Sequence, residues 1–285
     1  MVIGYLGPKA TFTEQAVRTI FDGHAIKPFP SIPACIQGVE EGVITYGIVP
    51  IENTIEGSVT LTLDYLIHEY QLPIVGEIIV PIQQHLMIHP KNTKQSRIEK
   101  ILSHPHALAQ CRKYLHDSFS SVEQVEMLST SAAARYVMEN SEEAIGAIAN
   151  ELAAKEYGLQ IIARNIHDYE NNHTRFVIIQ RANDEVKSIF KGEDYKTTLA
   201  ITLPTDQPGA LYQVLAAFAW RKLNLSKIES RPLKTGLGNY LFIIDVTESM
   251  NNILVNGAIN ELEALGCGVT CLGSYPVLTN KSSFV

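Results

Sequence analysis

"VIGYLGPKATFTEQAVRTIF" (Val2 to Phe21) changes its hydrophobic period once, and that change decides the architecture. Val2–Gly7 is a short apolar run that reads as a strand. Gly7 and Pro8 break it, and Thr11 or Thr13 then opens an amphipathic helix through "TEQAVRTIF". The same strand-to-helix grammar recurs across the first 180 residues. "YGIVPI" (46–51), "EKILS" (99–103), "AIGAIA" (144–149) and "RFVIIQ" (175–180) read as further strands. "SIPACIQGVEEG", "VTLTLDYLIHEY", "PHALAQCRKYLHDSF" and "SAAARYVMEN" read as helices between them. Such alternation predicts an α/β region with largely parallel sheets.

The pattern breaks at "RANDEVKSIFKGEDYK" (181–196), where eight of sixteen residues are charged, and this stretch reads as a linker. Beyond it lie a strand (197–203), a helix from about Gly209 to Lys222 and a strand (225–230). A strand (240–247), a helix (257–265) and a strand (268–275) follow. That order is βαββαβ, a ferredoxin-like α+β sandwich. A chain of 285 residues has room for both parts, each with its own core.

Composition narrows the function. A 46% hydrophobic and 19% charged content is ordinary for a soluble globular chain. The net charge of −7 argues against a nucleic-acid partner, which calls for a basic face. No apolar stretch approaches the ~18 residues of a membrane span, and even "LPIVGEIIVPI" carries Glu77 and two prolines. The N-terminus lacks the basic and cleavage regions of a signal peptide. Four scattered cysteines (Cys35, Cys111, Cys267, Cys271) fit free thiols in a reducing cytoplasm, with Cys267 and Cys271 packing in a strand.

Four strand-to-helix junctions share one chemistry. They present Thr11 or Thr13, then Asn53, Thr54 and Ser58, then Ser103 before Pro105, then Ser129, Thr130 and Ser131. Helix N-termini attract anions through unpaired amides and the dipole, although most such hydroxyls simply cap their own helix. Together the four junctions suggest a cleft for a small polyanion, with Arg175 or Lys9 as a basic partner. "NNHTRF" (171–176) crowds Asn172, His173, Thr174 and Arg175 at a strand mouth without a local acid. The pairs His85/His89, one face of a strand, and His104/His106 lack a local third ligand, so no metal is expected. Neither dinucleotide nor P-loop glycine motifs occur, and no organic cofactor is expected. Glu52 reads equally as a base, an orienting group or a solvated charge.

Taken together, "GYLGPKATFTEQA", "PIENTIEGSV", "SHPHALAQC", "STSAAA" and "NHTRFVII" resemble the prephenate dehydratase family across residues 1–180. "GALYQVLAAFAWRKLNLSKIESRP" resembles the ACT regulatory domain, over about 197–275. The resemblance implies loss of carbon dioxide and the ring hydroxyl from prephenate, giving phenylpyruvate in L-phenylalanine biosynthesis. It implies a two-lobed fold like a type 2 periplasmic binding protein. One lobe would span about 1–78 plus 168–180 and the other about 79–167, with residues 276–285 left as a tail. The family's essential threonine falls on Thr174, followed by Arg175 and Phe176. Its Glu-Asn pair falls on Glu52 and Asn53, and its Ser and Gln on Ser103 and Gln110. The serine and threonine of its later cap fall on Thr130 and Ser131. His106 stands where glutamine is expected, Thr54 where serine is commoner and Tyr212 where valine is usual. A chorismate mutase segment, found in bifunctional relatives, is not expected because the first strand starts at Val2.

On this reading Thr174 donates to the leaving hydroxyl while junction amides, or an inward Arg175, hold the carboxylates. Strand alternation offers Arg175 a supporting role instead, and His173 is the rival acid. Substrate contacts are expected from Thr11, Thr54, Ser58, Thr130, Ser131, Arg175 and Phe176. Catalytic roles fall to Thr174, Asn53, Glu52, Ser103 and Gln110. L-Phenylalanine would bind the ACT domain at Gly209, Ala210 and Leu211 and at Glu229, Ser230, Arg231 and Pro232, between subunits of a homodimer or homotetramer. Arogenate dehydration and a non-catalytic amino-acid sensor are the alternatives.

Overall fold

The computed structural model describes residues 1–92, 98–182, 190, 192–205, 207–233 and 240–278. Residues 183–189 and 191 of the expected linker, and 279–285 of the expected tail, lie outside them. The chain begins β1 (Val2–Leu6), α1 (Phe12–Ile20), β2 (Ala25–Phe29), α2 (Ile32–Glu40), β3 (Tyr46–Asn53) and β4 (Gly57–Ser58). Next come α3 (Thr60–Asp64), a π-helical turn (Tyr65–Glu69), β5 (Ile74–Pro81), β6 (His85–Ile88), β7 (Lys100–Ser103), α4 (Pro105–Gln110) and α5 (Arg112–Phe119). Then follow β8 (Glu123–Glu126), α6 (Thr130–Glu139), β9 (Ile145–Ala149), α7 (Glu151–Tyr157), β10 (Gln160–Ala163) and β11 (His173–Ile179). The last part holds β12 (Tyr195–Thr202), α8 (Ala210–Ala219), β13 (Leu225–Pro232), β14 (Tyr240–Val246), α9 (Ile253–Ala264) and β15 (Gly268–Leu278).

Two compact units result, one holding residues 1–35, 48–60 and 79–176, the other 36–47, 61–78 and 177–285. The first unit contains two sheets. Strands β11, β3, β1 and β2 lie side by side in one, with β1 and β2 parallel. The other is five-stranded, in the order β10-β6-β9-β7-β8. Its middle is buried on both faces. Met87, Ala133, Val137, Ala147 and Ala149 pack on one side, and Leu86, Ile101, Leu108, Leu115 and Ile148 on the other. Burial on both faces is why "AIGAIA" is apolar throughout rather than alternating.

The expectation of largely parallel sheets needs correction here. β7 runs parallel to β8 and β9, but β6 runs antiparallel to both β9 and β10. The chain enters this lobe through β6 and leaves after β10, crossing between sheets twice. The two crossings touch. Ile82 N donates to Asn172 O (2.8 Å), and Ile166 N to Gln84 O (2.9 Å).

Two expected helices are also not continuous. "PHALAQCRKYLHDSF" breaks at Cys111 (φ −113°, ψ 16°) into α4 and α5. "VTLTLDYLIHEY" makes only one α-helical turn before widening into the π-helical turn.

In the second unit, β12 pairs antiparallel with β14 and β15, and β13 with β14. The order β13-β14-β12-β15 is the ferredoxin-like arrangement expected. Leu199, Ile201, Val214, Phe218, Ile244 and Leu262 form its core beneath α8 and α9. Helix α9 starts four residues before the expected Gly257, capped by Asn252, whose side chain accepts from Leu254 N (2.9 Å). Gly257 lies inside the helix, with Arg221 Nε 3.0 Å from where a Cβ would stand.

Strand β5 escaped a reading of "LPIVGEIIVPI" because Glu77 interrupts its apolar run. Glu77 is fully buried and accepts from Lys196 Nζ at 2.6 Å. Breaking a buried pair on one side strands the other charge. Glu77→Ala should therefore cost about 3–5 kcal/mol, measured as a lower urea midpoint. The double change Glu77→Leu with Lys196→Met should recover most of that loss.

Candidate active site

The site begins where β3 ends beside the start of β11. Asn53 closes β3, and its Nδ2 lies 2.8 Å from Thr174 Oγ1, 2.9 Å from Asn172 Oδ1 and 3.2 Å from His173 O. Its Oδ1 accepts from Ile55 N (2.9 Å) and Glu56 N (3.1 Å), forming the turn that follows. One carboxamide thus fixes both a loop and a hydroxyl. Thr174 accepts that bond, and among the described residues nothing accepts the proton of Thr174 itself.

Thr174 and Arg175 take opposite faces of the strand, as period-two geometry requires. Thr174 and Phe176 line a cavity of about 970 Å³; Arg175 does not. Its Nη1 instead donates to Glu52 Oε2 at 2.5 Å. The acid missing from "NNHTRF" therefore comes from the neighbouring strand, 123 residues earlier.

Of the residues expected at the site, Thr11, Asn53, Ser58, Gln110, Thr130, Thr174 and Phe176 line the cavity. Glu52, Thr54, Ser103, Ser131 and Arg175 stand behind its wall. Ser103 is buried and donates to Ile148 O (2.6 Å), tying β7 to β9. Thr54 Oγ1 donates to Asn171 O and accepts from His173 N (2.8 Å), bracing the entry to β11. Ser131 bonds Lys9 O and faces Tyr157 Oη, joining α6 to the β1–α1 loop. Gln84, His104 and Leu128 line the cavity without having been assigned to it, and Ser129 lines it as the fourth junction suggested. A glutamine pair inside the apolar "VPIQQHLMI" was the available signal for Gln84.

The bland reading of the junctions holds for several hydroxyls. Thr11 caps α1, accepting from Glu14 N (3.3 Å), and Ser129 caps α6, accepting from Ala132 N (2.9 Å). His104 caps α4 through Nδ1, which accepts from His106 N (3.3 Å). That bond assigns its proton to Nε2, and burial with the nearby His106 ring lowers its pKa. His106 Nδ1 lies 3.6 Å from Glu56. No Lys or Arg appears among the described lining residues, and Glu56, His104 and His106 are its ionisable groups. His85 is buried in β6, its Nδ1 accepting from Asn165 N (3.0 Å). Among the described residues no three His, Cys, Asp or Glu cluster as a metal site.

The regulatory motifs lie on separate elements. Gly209 precedes α8 with φ +87°, and nothing stands within 4 Å of a Cβ built there. Backbone conformation, rather than close packing, is what calls for glycine. In β13, Glu229 lies between Lys227 (3.2 Å) and Arg231 (3.4 Å), and Arg231 reaches Asp64 at 2.6 Å.

Comparison with known proteins agrees with this arrangement. The family model for prephenate dehydratase matches residues 3–184, and that for the ACT domain matches residues 197–265. A prephenate dehydratase of Bacillus subtilis is 52% identical over 281 residues, covering 96% of this chain and 98% of that one. The crystal structure of a prephenate dehydratase from Arthrobacter aurescens in complex with L-Phe superposes with a TM-score of 0.86. It is 34% identical and covers 97% of this chain and 90% of its own. A structure described as GqqA, a novel type of quorum quenching acylase, has a TM-score of 0.85 at 28% identity, covering 98% of both chains.

The loop between β1 and α1 forms one cavity wall, and Glu14 holds it. The buried Glu14 carboxylate accepts from Tyr5 Oη (2.7 Å), Ala10 N (2.7 Å) and Arg18 Nε (2.8 Å), fixing Ala10 at φ +62°. Burial alone would raise its pKa, but these three donors overcome that and lower it. Its stabilising effect is therefore complete above the unfolded carboxylate pKa of ~4.3 and disappears as pH falls through the lower folded value. Glu14→Gln should lower the urea midpoint at pH 7. The gap from wild type should narrow progressively once the pH drops below the ordinary carboxylate range.

Proposed function

Because the chain belongs to the prephenate dehydratase family, we propose that it converts prephenate to phenylpyruvate, water and carbon dioxide, and that L-phenylalanine regulates it through the ACT domain. The catalytic region would be residues 1–180, with lobes of about 1–78 plus 168–180 and about 79–167. Residues 181–196 would link it to the ACT domain at 197–275, with 276–285 as the tail. Four free thiols fit a cytoplasmic location, and among the described residues no helix is long and apolar enough to cross a membrane.

The observation that carries the mechanism is the bond from Asn53 Nδ2 to Thr174 Oγ1. Because the threonine oxygen accepts there, its own proton is directed toward another partner. In prephenate the bond to the leaving carboxylate breaks, and its electrons make the ring aromatic as the ring C–O bond breaks. A proton donated by Thr174 to that oxygen lets it depart as water, and a proton from solvent then restores the threonine hydroxyl. Aromatisation supplies the driving force, so the residues need only orient the substrate and supply one proton. Arg175 braces Glu52 on the far face of the strand. The two carboxylates would be met by neutral donors, including Gln110 and the start of α6 at Ser129 and Thr130, which line the cavity. Arogenate differs by an amino group for the keto group and remains the competing substrate. The likeness to GqqA adds acylase chemistry as a control arm, because one fold hosts several reactions. Phenylpyruvate released from prephenate supports the dehydratase reading; phenylalanine from arogenate alone, or acid released only from an acylated amide, overturns it.

Thr174→Ala should lower kcat by ~10²–10⁴ and leave KM within a few-fold, since the contact strengthens in the transition state. Thr174→Ser should keep part of the activity, and His173→Ala should be far milder. If His173→Ala is as damaging, and a pH-rate limb near ~6.5 vanishes with it, histidine is the acid.

Self-association has support in the second unit, where Tyr212, Trp220 and Ile253 are 72%, 78% and 80% exposed. A homodimer or homotetramer would cover such side chains. Phenylalanine should lower the activity of the full chain, with a coupling of about 1–3 kcal/mol. A chain truncated near residue 185 should retain turnover but lose that response, read from initial rates with and without the effector.

A further inference from the structure

Gln84 and Gln110 are two buried carboxamides that line the same cavity, and only Gln110 belongs to the family motif quoted above. Gln84 is 2% exposed and Gln110 7%, yet both line the cavity. The Oε1 atom of each lacks a hydrogen-bond partner among the described residues. Buried amide groups are nearly always paired; as placed, each Oε1 calls for a donor, and turning the amide about its last torsion would exchange the unspent acceptor for an unspent donor beside the cavity.

The backbone holds this pair in place. Gln84 O accepts from Ile166 N (2.9 Å), Gln84 N lies 3.4 Å from His167 Nδ1, and Gln110 O accepts from Asp168 N (2.7 Å). Three consecutive residues thus anchor both glutamines. Two residues before Gln84, Ile82 N bonds Asn172 O, whose side chain shares Asn53 with Thr174. Gln84 is therefore tied to the same framework as the proton donor.

The chemistry of the cavity sets the demand. A dianion with two carboxylates, a keto group and a hydroxyl offers many acceptors and one donor. The described lining residues include no lysine or arginine to meet them. A carboxamide has the same shape at its two ends and turns about its last torsion, so it can present N–H as readily as C=O.

We propose that Gln84 is a substrate-binding residue that turns its N–H groups to an acceptor oxygen of the dianion, beside Gln110. This rests on the dehydratase reading, and wild-type turnover of prephenate, measured first, tests that reading separately. The variants are Gln84→Met, which keeps the side-chain length without the amide, and Gln84→Glu, which keeps the shape but replaces donors with a charged acceptor. Gln84→Met should raise KM about tenfold with kcat within a few-fold, the pattern of lost uniform binding. Gln84→Glu should raise KM further at pH 8 and recover toward wild type as the pH falls and the carboxyl regains a proton to donate. A calorimetric titration of prephenate into Thr174→Ala, with and without Gln84→Met, should show the same loss without turnover. A merely structural glutamine would lower thermal stability in both variants and leave the pH dependence of KM unmoved. KM values within twofold of wild type for both variants, across pH, would overturn the proposal.

Discussion

The site depends on the single carboxamide of Asn53. Its nitrogen holds Thr174, Asn172 and the His173 carbonyl, while its oxygen organises Ile55 and Glu56. An aspartate of the same shape would present oxygen to Thr174 and reverse the direction of that bond. The threonine proton would then point into the protein instead of the cavity. On the reading proposed above, asparagine would be needed for its donor end, and the neutral hydroxyl it positions would need no carboxylate to tune it.

Charge is kept behind the wall for a related reason. Arg175 and Glu52 pair with one another, adjacent in sequence to Thr174 and Asn53, which share a hydrogen bond at the cavity. Strand geometry turns each pair outward in alternation, so the charged members brace the reverse face while the neutral members face the cavity. A guanidinium on the cavity side would hold a carboxylate strongly in the ground state and the transition state alike, lowering KM without raising kcat. On the reading proposed above, neutral donors spread over several elements would bind the dianion more evenly and leave the proton to Thr174.

Much of this was legible in the sequence because it is local. The βα period change at Val2–Phe21, the βαββαβ order and the placement of Thr174 at a strand mouth follow from periodicity and capping. The direction of Arg175 was open because alternation says only that it opposes Thr174, not that Glu52 waits 123 residues away. Strand β5 was hidden by Glu77, which looks like a surface residue until its buried partner is known, whereas a strand at β6 was expected from His85 and His89. Ser103 and Ser131, expected as a catalytic and a substrate-binding residue, each hold a structural hydrogen bond that the sequence did not announce. Their partners, Ile148 O and Lys9 O, come from distant strands and loops. Long-range hydrogen bonds leave no periodic trace.

The regulatory run shows the same limit in another form. Read as "ESRP", residues 229–232 look like four consecutive ligand contacts, yet a strand cannot present four neighbours to one side. Glu229 and Arg231 are half-buried and share one face, where Lys227, Glu229, Arg231 and Asp64 form a chain of ion pairs. Ser230 and Pro232 are exposed on the other face. The motif therefore divides into two roles, one fixing the strand to Asp64 at the end of α3, the other leaving a surface open. Asp64 is also where α3 gives way to the π-helical turn, a form that persists only where surrounding contacts hold it. The Arg231 guanidinium, 2.6 Å away, is such a contact. Arg231 thus belongs as much to the support of that turn as to any ligand.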